Sequence, residues 1–107
     1  MKVGFIGCGG IARVHLRAVR ASNAQLVGVA DVFENYARRF AAEECGGNVD
    51  VYRSARELIR HARPDVVHVL TPPATHFKAV LDCLEAGCHV LVLPVSGSGS
   101  YNRSAAR

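Results

Sequence analysis

Five short apolar runs, separated by four stretches of helical periodicity, predict an α/β fold. The expected architecture is a doubly wound parallel sheet of five strands in the order 3-2-1-4-5. Two further observations carry this prediction. The apolar runs are continuous rather than alternating, as in a sheet covered by helices on both faces. A glycine-rich loop, Gly7-Cys8-Gly9-Gly10, joins the first run to the first helical stretch. Right-handed crossovers then place successive strands side by side and parallel.

The elements follow in order. Residues 2–6 read as a short buried strand. Residues 10–21 read as a helix with Ile11, Val14, Ala18 and Val19 near one face, and Ser22-Asn23 ends it. Residues 26–30 form a second apolar strand closed by Asp31. Residues 34–45 form a second helix with Ala37, Phe40 and Ala41 inward, stopped by Gly46-Gly47. Residues 49–52 are a short third strand. Ser54-Ala55-Arg56-Glu57 has the pattern of a capping box and opens a third helix that runs to about His61. Pro64 breaks the pattern, and residues 65–70 form the fourth strand. Thr71-Pro72-Pro73 belongs to a loop and a helix's first turn, since proline has no N–H to give a helix interior. Phe77, Val80, Leu81 and Leu84 then fall on one helical face, and that helix ends at Gly87. Residues 88–93 form the fifth strand. Residues 1–95 are therefore expected to be one domain, and the Ser/Gly-rich residues 96–107 a flexible tail.

Composition narrows the class. The chain has 107 residues, half of them hydrophobic, enough for a real core. No apolar run approaches the ~20 residues of a membrane helix. A core strand starts within two residues of Met1, so a soluble, cytoplasmic protein without membrane partner is expected. The net charge is +4, spread over several helix faces with no polybasic block and few aromatics, which argues against nucleic acid. A mild positive field suits an anionic ligand. Cys8, Cys45, Cys83 and Cys88 contain no C-x-x-C pair, so no metal site is expected and reduced thiols are. Cys8 would lie at a helix N-terminus, where a thiolate is stabilised, although a small residue filling a turn is the simpler account.

The glycine loop carries the chemistry. Gly7-x-Gly9-x-x-Ala12 follows a strand and opens a helix. The first glycine permits the tight turn, the second lets backbone approach a pyrophosphate, and the small third residue lets helix pack on strand. N–H groups of Cys8, Gly9, Gly10 and Ile11 and the positive end of the helix would face the anion. Asp31 lies 19 residues beyond Ala12 at the end of the next strand. There a carboxylate can accept hydrogen bonds from both ribose hydroxyls of adenosine and repel a 2′-phosphate. Val32 and Phe33 supply no cation to welcome one, so NAD is favoured over NADP, an expectation that Arg38 or Arg39 could soften. Thr71, Pro72 and Pro73 sit at the carboxyl end of the fourth strand, beside the point where strand order reverses. His76 follows in the first turn of the next helix and completes the candidate cofactor-side set. Helix anchoring suits it better than proton transfer, because no partner acid stands beside it. His15 lies inside the first helix, His61 near a helix end and His89 at the start of the last strand. His68 interrupts a buried strand and so requires a hydrogen-bond partner or an edge position. No catalytic residue is assigned.

Taken together, Gly7-x-Gly9-x-x-Ala12-x-x-His15, Asp31, Thr71-Pro72-Pro73-x-x-His76 and Leu84-Glu85-Ala86-Gly87-x-His89-Val90-Leu91-Val92 resemble the N-terminal half of the Gfo/Idh/MocA oxidoreductases. The resemblance covers about residues 1–92. It implies a Rossmann domain that binds NAD or NADP, followed in the family by a larger domain supplying most of the substrate site and an oligomer interface. It implies hydride transfer between nicotinamide and a hydroxyl carbon of a sugar, cyclitol or similar polyol. By the same resemblance Gly7, Gly9 and Ala12 hold pyrophosphate, Asp31 the adenosine ribose, and Thr71 to Pro73 the cofactor's inner half. One departure matters. Where the family's fifth strand ends in Glu-Lys-Pro, with the lysine near nicotinamide and substrate, this chain has Leu93-Pro94-Val95. The expectation is a cofactor-binding domain without turnover of its own and without the family's substrate domain. The alternatives are a small nucleotide-responsive interaction protein, self-associating through an exposed fifth-strand edge, and an S-adenosylmethionine-binding domain.

Overall fold

The computed structural model describes residues 1–92 and 99–101, with the backbone alone described for 73–76 and 99–101. The elements run β1 (Lys2–Ile6), α1 (Ile11–Ala21), β2 (Gln25–Ala30), α2 (Glu34–Glu43), β3 (Asp50–Tyr52), α3 (Ala55–Ala62), β4 (Val66–Val69), α4 (Pro73–Glu85), β5 (His89–Val92) and β6 (Gly99–Tyr101). The sheet order is β3-β2-β1-β4-β5-β6. The first five strands are parallel, in the predicted 3-2-1-4-5 order, and β6 is antiparallel to β5.

Local chemistry sets the boundaries. Ser54 caps α3, its Oγ accepting the N–H of Glu57 at 3.2 Å. Arg63 ends that helix in the left-handed conformation, φ 49°, and Pro64 prevents its continuation. α2 stops two residues earlier than its periodicity suggests. The N–H of Gly47, at φ 78°, reaches back to the carbonyl of Ala41 at 2.8 Å and closes the helix end. Pro73 is the first residue of α4, where its missing N–H costs nothing.

Two apolar layers flank the sheet. Phe5, Val3 and Val29 pack against Ala12, Leu16 and Val19 of α1 and Ala37, Phe40 and Ala41 of α2. On the other face Val67, Val69, Val90 and Val92 meet Leu58 of α3 and Ala79, Val80 and Cys83 of α4. Gly4 lets α3 come close: a Cβ there would stand 2.7 Å from Leu58 Cδ2. Among the described residues no helix is long and apolar enough to cross a membrane.

One expectation is corrected on the β5 side. β6 is formed by residues 99–101, while 93–98 and 102–107 lie outside the described residues. The fifth-strand edge is consequently not exposed, because Val90, Leu91 and Val92 pair with Tyr101, Ser100 and Gly99. A strand edge presents backbone donors and acceptors that any adjacent segment can satisfy, whatever its side chains. Apolar patterning therefore gave no sign of this pairing.

Candidate functional site

A cleft of about 700 Å³ opens beyond the carboxyl ends of the strands, where β1 is flanked by β2 and β4. Ile6, Gly7 and Leu70 form its floor, and Gly9, Gly10 and Ile11 its rim. Asp31, Val32, Phe33 and Tyr36, facing Ser54 and Arg56, line the outer end. Thr71, Pro72 and Ala79 line the inner end, next to a Lys78–Asp82 ion pair of 3.2 Å.

The glycines of the loop have separate physical reasons. Gly7 has φ +99°, and a Cβ on it would lie 2.9 Å from the carbonyl carbon of Leu70 and 3.0 Å from the N of Thr71. Only glycine fits both conditions. Its N–H donates to the carbonyl of Ala30 at 2.7 Å. A Cβ on Gly9 or Gly10 would meet nothing within 4 Å. The chain's own packing therefore does not demand glycine there, and the bare backbone faces the cleft. Gly10 is the N-cap of α1 and offers no side-chain acceptor, and the first turn holds no acid. The positive end of α1 thus has no capping side chain of the kind Ser54 gives α3.

Cys8 and Ala12 support the loop from beneath rather than lining the cleft. Ala12 is fully buried against the sheet. Cys8 is buried with its Sγ 3.7 Å from the carbonyl of Ala30. Burial, then the charge of Asp31 and the neighbouring Cys45, push its thiol up to about 12. This burial fits the simpler account of Cys8, a small residue filling the turn, and desolvation disfavours its thiolate.

Asp31 stands where the spacing put it, but it has work of its own. Its Oδ2 accepts the N–H of Cys8 at 2.9 Å and its Oδ1 accepts the N–H of Phe33 at 2.9 Å. It fastens the glycine loop to the β2–α2 turn. An ionised carboxylate has about four acceptor sites, so two remain for hydroxyls. Val32 is exposed beside it, and Phe33 and Tyr36 contact each other at 5.4 Å between ring centroids. Glu34 follows, its carboxylate accepting from Arg38 Nε at 3.1 Å and Arg53 Nε at 3.0 Å. The hydrogen bonds from Arg38 and then Arg53 hold its carboxyl below the usual range. Arg56 forms no ion pair among the described residues.

At the inner end, Thr71 Oγ1 is buried and has no hydrogen-bond partner among the described residues. Such an orphan in the wall of a cleft fits a polar ligand group in contact with it. The loop glycines with open approach and this hydroxyl together fit a dinucleotide. Pro73 and His76 belong to the first turn of α4 by backbone, and their side chains, like Leu93-Pro94-Val95, lie outside the described residues.

Sequence reasoning missed one constellation behind the loop. His15 and His68 meet with their Nδ1 atoms 3.0 Å apart. One must donate and the other accept, so the neutral pair uses opposite tautomers. His68 thus finds a partner while occupying an interior strand. Its ring stacks on Phe5 at 5.2 Å, and His15 meets Phe5 edge-on at 6.3 Å. Burial, then the neighbouring His15, push His68 down to about 4, and burial lowers His15. Neither ring lines the cleft.

Comparison with known proteins agrees with this geometry. The family described as "Oxidoreductase family, NAD-binding Rossmann fold" matches residues 1–92. The chain is 36% identical over 93 residues to a D-glucoside 3-dehydrogenase of Escherichia coli K12, covering 85% of this chain and 26% of that protein. It is 39% identical over 89 residues to an inositol 2-dehydrogenase of Gluconacetobacter diazotrophicus, covering 79% and 26% respectively. A solved myo-inositol dehydrogenase from Lactobacillus casei, in complex with NAD(H) and myo-inositol, superposes with a TM-score of 0.78 at 26% identity, covering 86% of this chain and 27% of that one. The chain spans about a quarter of the length of these relatives. It belongs to the Gfo/Idh/MocA oxidoreductase family and is an NAD-binding Rossmann domain of it.

Proposed function

We propose, from that membership, that the cleft holds NAD in one orientation and presents its nicotinamide for hydride exchange with a sugar or cyclitol in the whole protein. The pyrophosphate rests on Gly9, Gly10 and Ile11 at the uncapped end of α1, where backbone and helix dipole favour an anion. Asp31 takes the adenosine ribose with its remaining acceptor sites, and the adenine lies against Val32, Phe33 and Tyr36. Thr71 and Pro72 border the inner half. When bound, nicotinamide supplies the hydride acceptor or donor. The chain's own residues bind and orient it. Leu93-Pro94-Val95 stands where the family carries its lysine, so this chain binds cofactor without turning over substrate. The four buried cysteines suit a reducing, cytoplasmic setting.

The observation that carries this reading is the bare backbone of Gly9 and Gly10 beneath an uncapped helix end. Titration of the purified chain with NADH, followed by calorimetry, should saturate. Asp31→Ser should weaken NADH binding about tenfold or more and narrow the gap to NADPH, because it removes an acceptor and a repulsive charge together. No binding at millimolar NADH defeats the proposal. Unchanged affinities for both cofactors in Asp31→Ser show that Asp31 does not touch ribose.

A further inference from the structure

We propose that Glu34 is a second specificity-determining residue, which keeps the outer end of the cleft for cofactors without a 2′-phosphate by occupying Arg38 and Arg53. The inference rests on the cleft taking NAD as described above. Glu34 is the first residue of α2, three positions beyond Asp31. Its two oxygens bond Arg38, one turn further along α2, and Arg53, immediately after β3. The outer end of the cleft is lined by Asp31, Val32, Phe33 and Tyr36 on one side and by Ser54 and Arg56 on the other, and Glu34 and Arg53 are the chain neighbours of Phe33 and Ser54. The clamp therefore ties together the two chain segments whose neighbouring residues line the end where the adenosine ribose would sit.

Its effect on selectivity is electrostatic. Guanidinium groups are the natural forked donors to phosphate. Arg56 lines this end, while Arg38 and Arg53, on the elements that carry its lining residues, are engaged by Glu34. A 2′-phosphate approaching Asp31 meets a second carboxylate close by and arginines whose Nε–H groups are taken. Both arginine side chains are mostly exposed, 66% and 79%. Exposed pairs exchange partners at little cost. Discrimination therefore depends on the carboxylate's charge being present, not on a rigid clamp. Removing that charge leaves Asp31 in place as ribose acceptor and releases two guanidinium groups for phosphate.

The test is the ratio of NADPH to NADH affinity, measured by calorimetry on the purified chain at low and high salt. Glu34→Gln should raise that ratio roughly three- to tenfold at low ionic strength, and the gain should shrink as salt screens it. Adding Arg53→Met to Glu34→Gln should reverse part of the gain. A loss of helix order alone would not give a salt-dependent preference for phosphate. A ratio unchanged by Glu34→Gln, while Asp31→Ser shifts it, overturns this inference and leaves the NAD site standing. A wild-type chain that binds neither cofactor overturns both.

Discussion

Toward β2 the glycine loop is held by hydrogen bonds from its own N–H groups, whereas toward β4 Gly7 is held by contact. On the β2 side the N–H of Gly7 reaches Ala30 and the N–H of Cys8 reaches Asp31. On the β4 side Gly7 lies against the backbone of Leu70 and Thr71, the hydrogen bond between His15 and His68 lies behind the loop, and the hydroxyl of Thr71 has no partner among the described residues. One junction is closed and polar. The other is tight at its base and unfinished at its mouth. The unfinished junction is the one where strand order reverses, the place open α/β sheets give to ligands.

The difference can be broken most forcefully at Gly7. Gly7→Ala puts a methyl group at positive φ and against backbone that cannot rotate away. It should destabilise the fold on the order of 3 kcal/mol, read by urea denaturation. Gly9→Ala, with open space for its Cβ, should barely change stability yet weaken NADH binding. If the two variants lose equal stability, contact with β4 is not what selects glycine at position 7.

A smaller effect is expected from the histidine pair. In the unfolded chain His68 takes a proton as pH falls below about 6.5, but in the fold it resists until about 4. The unfolded state therefore binds more protons in that window, and stability falls as pH drops through it. Above 6.5 the contribution is complete, and below 4 the loss levels off. The loss should be on the order of 2 kcal/mol, reduced because the ring is only partly shielded. His68→Phe should remove this part of the acid sensitivity, measured as the difference in unfolding free energy between pH 7 and pH 4.5. Equal acid losses in both proteins would place the sensitivity elsewhere.

The smallest effect tests the unfinished mouth itself. Thr71→Val deletes the orphan hydroxyl, so the cofactor-free chain should gain about 1 kcal/mol while NADH affinity falls a few-fold. Opposite signs in denaturation and titration are the mark of a group kept for a ligand. A loss in both would mean that the hydroxyl serves the fold.

The two junctions also differ in how far they can be read from sequence. Strand order, the glycine loop and Asp31 are legible because each follows from a local pattern: an apolar run, a glycine spacing, an acid at a strand end. The second function of Asp31 is not, since its bonds to Cys8 and Phe33 depend on how two turns approach one another. The same holds for His15 and His68, which are 53 positions apart and meet only because α1 lies over the face of β4 that carries His68. Arg53 reaches Glu34 across 19 positions for a similar reason. Pairing of β6 escaped prediction on different grounds: backbone alone makes it, and Gly99-Ser100-Tyr101 has no apolar pattern to announce it.

Four cysteines lie in four different parts of this domain: Cys8 under the glycine loop, Cys45 after α2, Cys83 within α4 and Cys88 before β5. All are buried, and burial raises the thiols of Cys8 and Cys83 to about 12. An alkylating reagent at neutral pH reaches them only through opening of the surrounding structure. The chain therefore carries its own set of clocks. Labelling at Cys8 or Cys45 times the loosening of the layer beside α1 and α2, and labelling at Cys83 or Cys88 times the layer beside α3 and α4. A bound dinucleotide would slow the Cys8 clock first, without any probe having to be engineered.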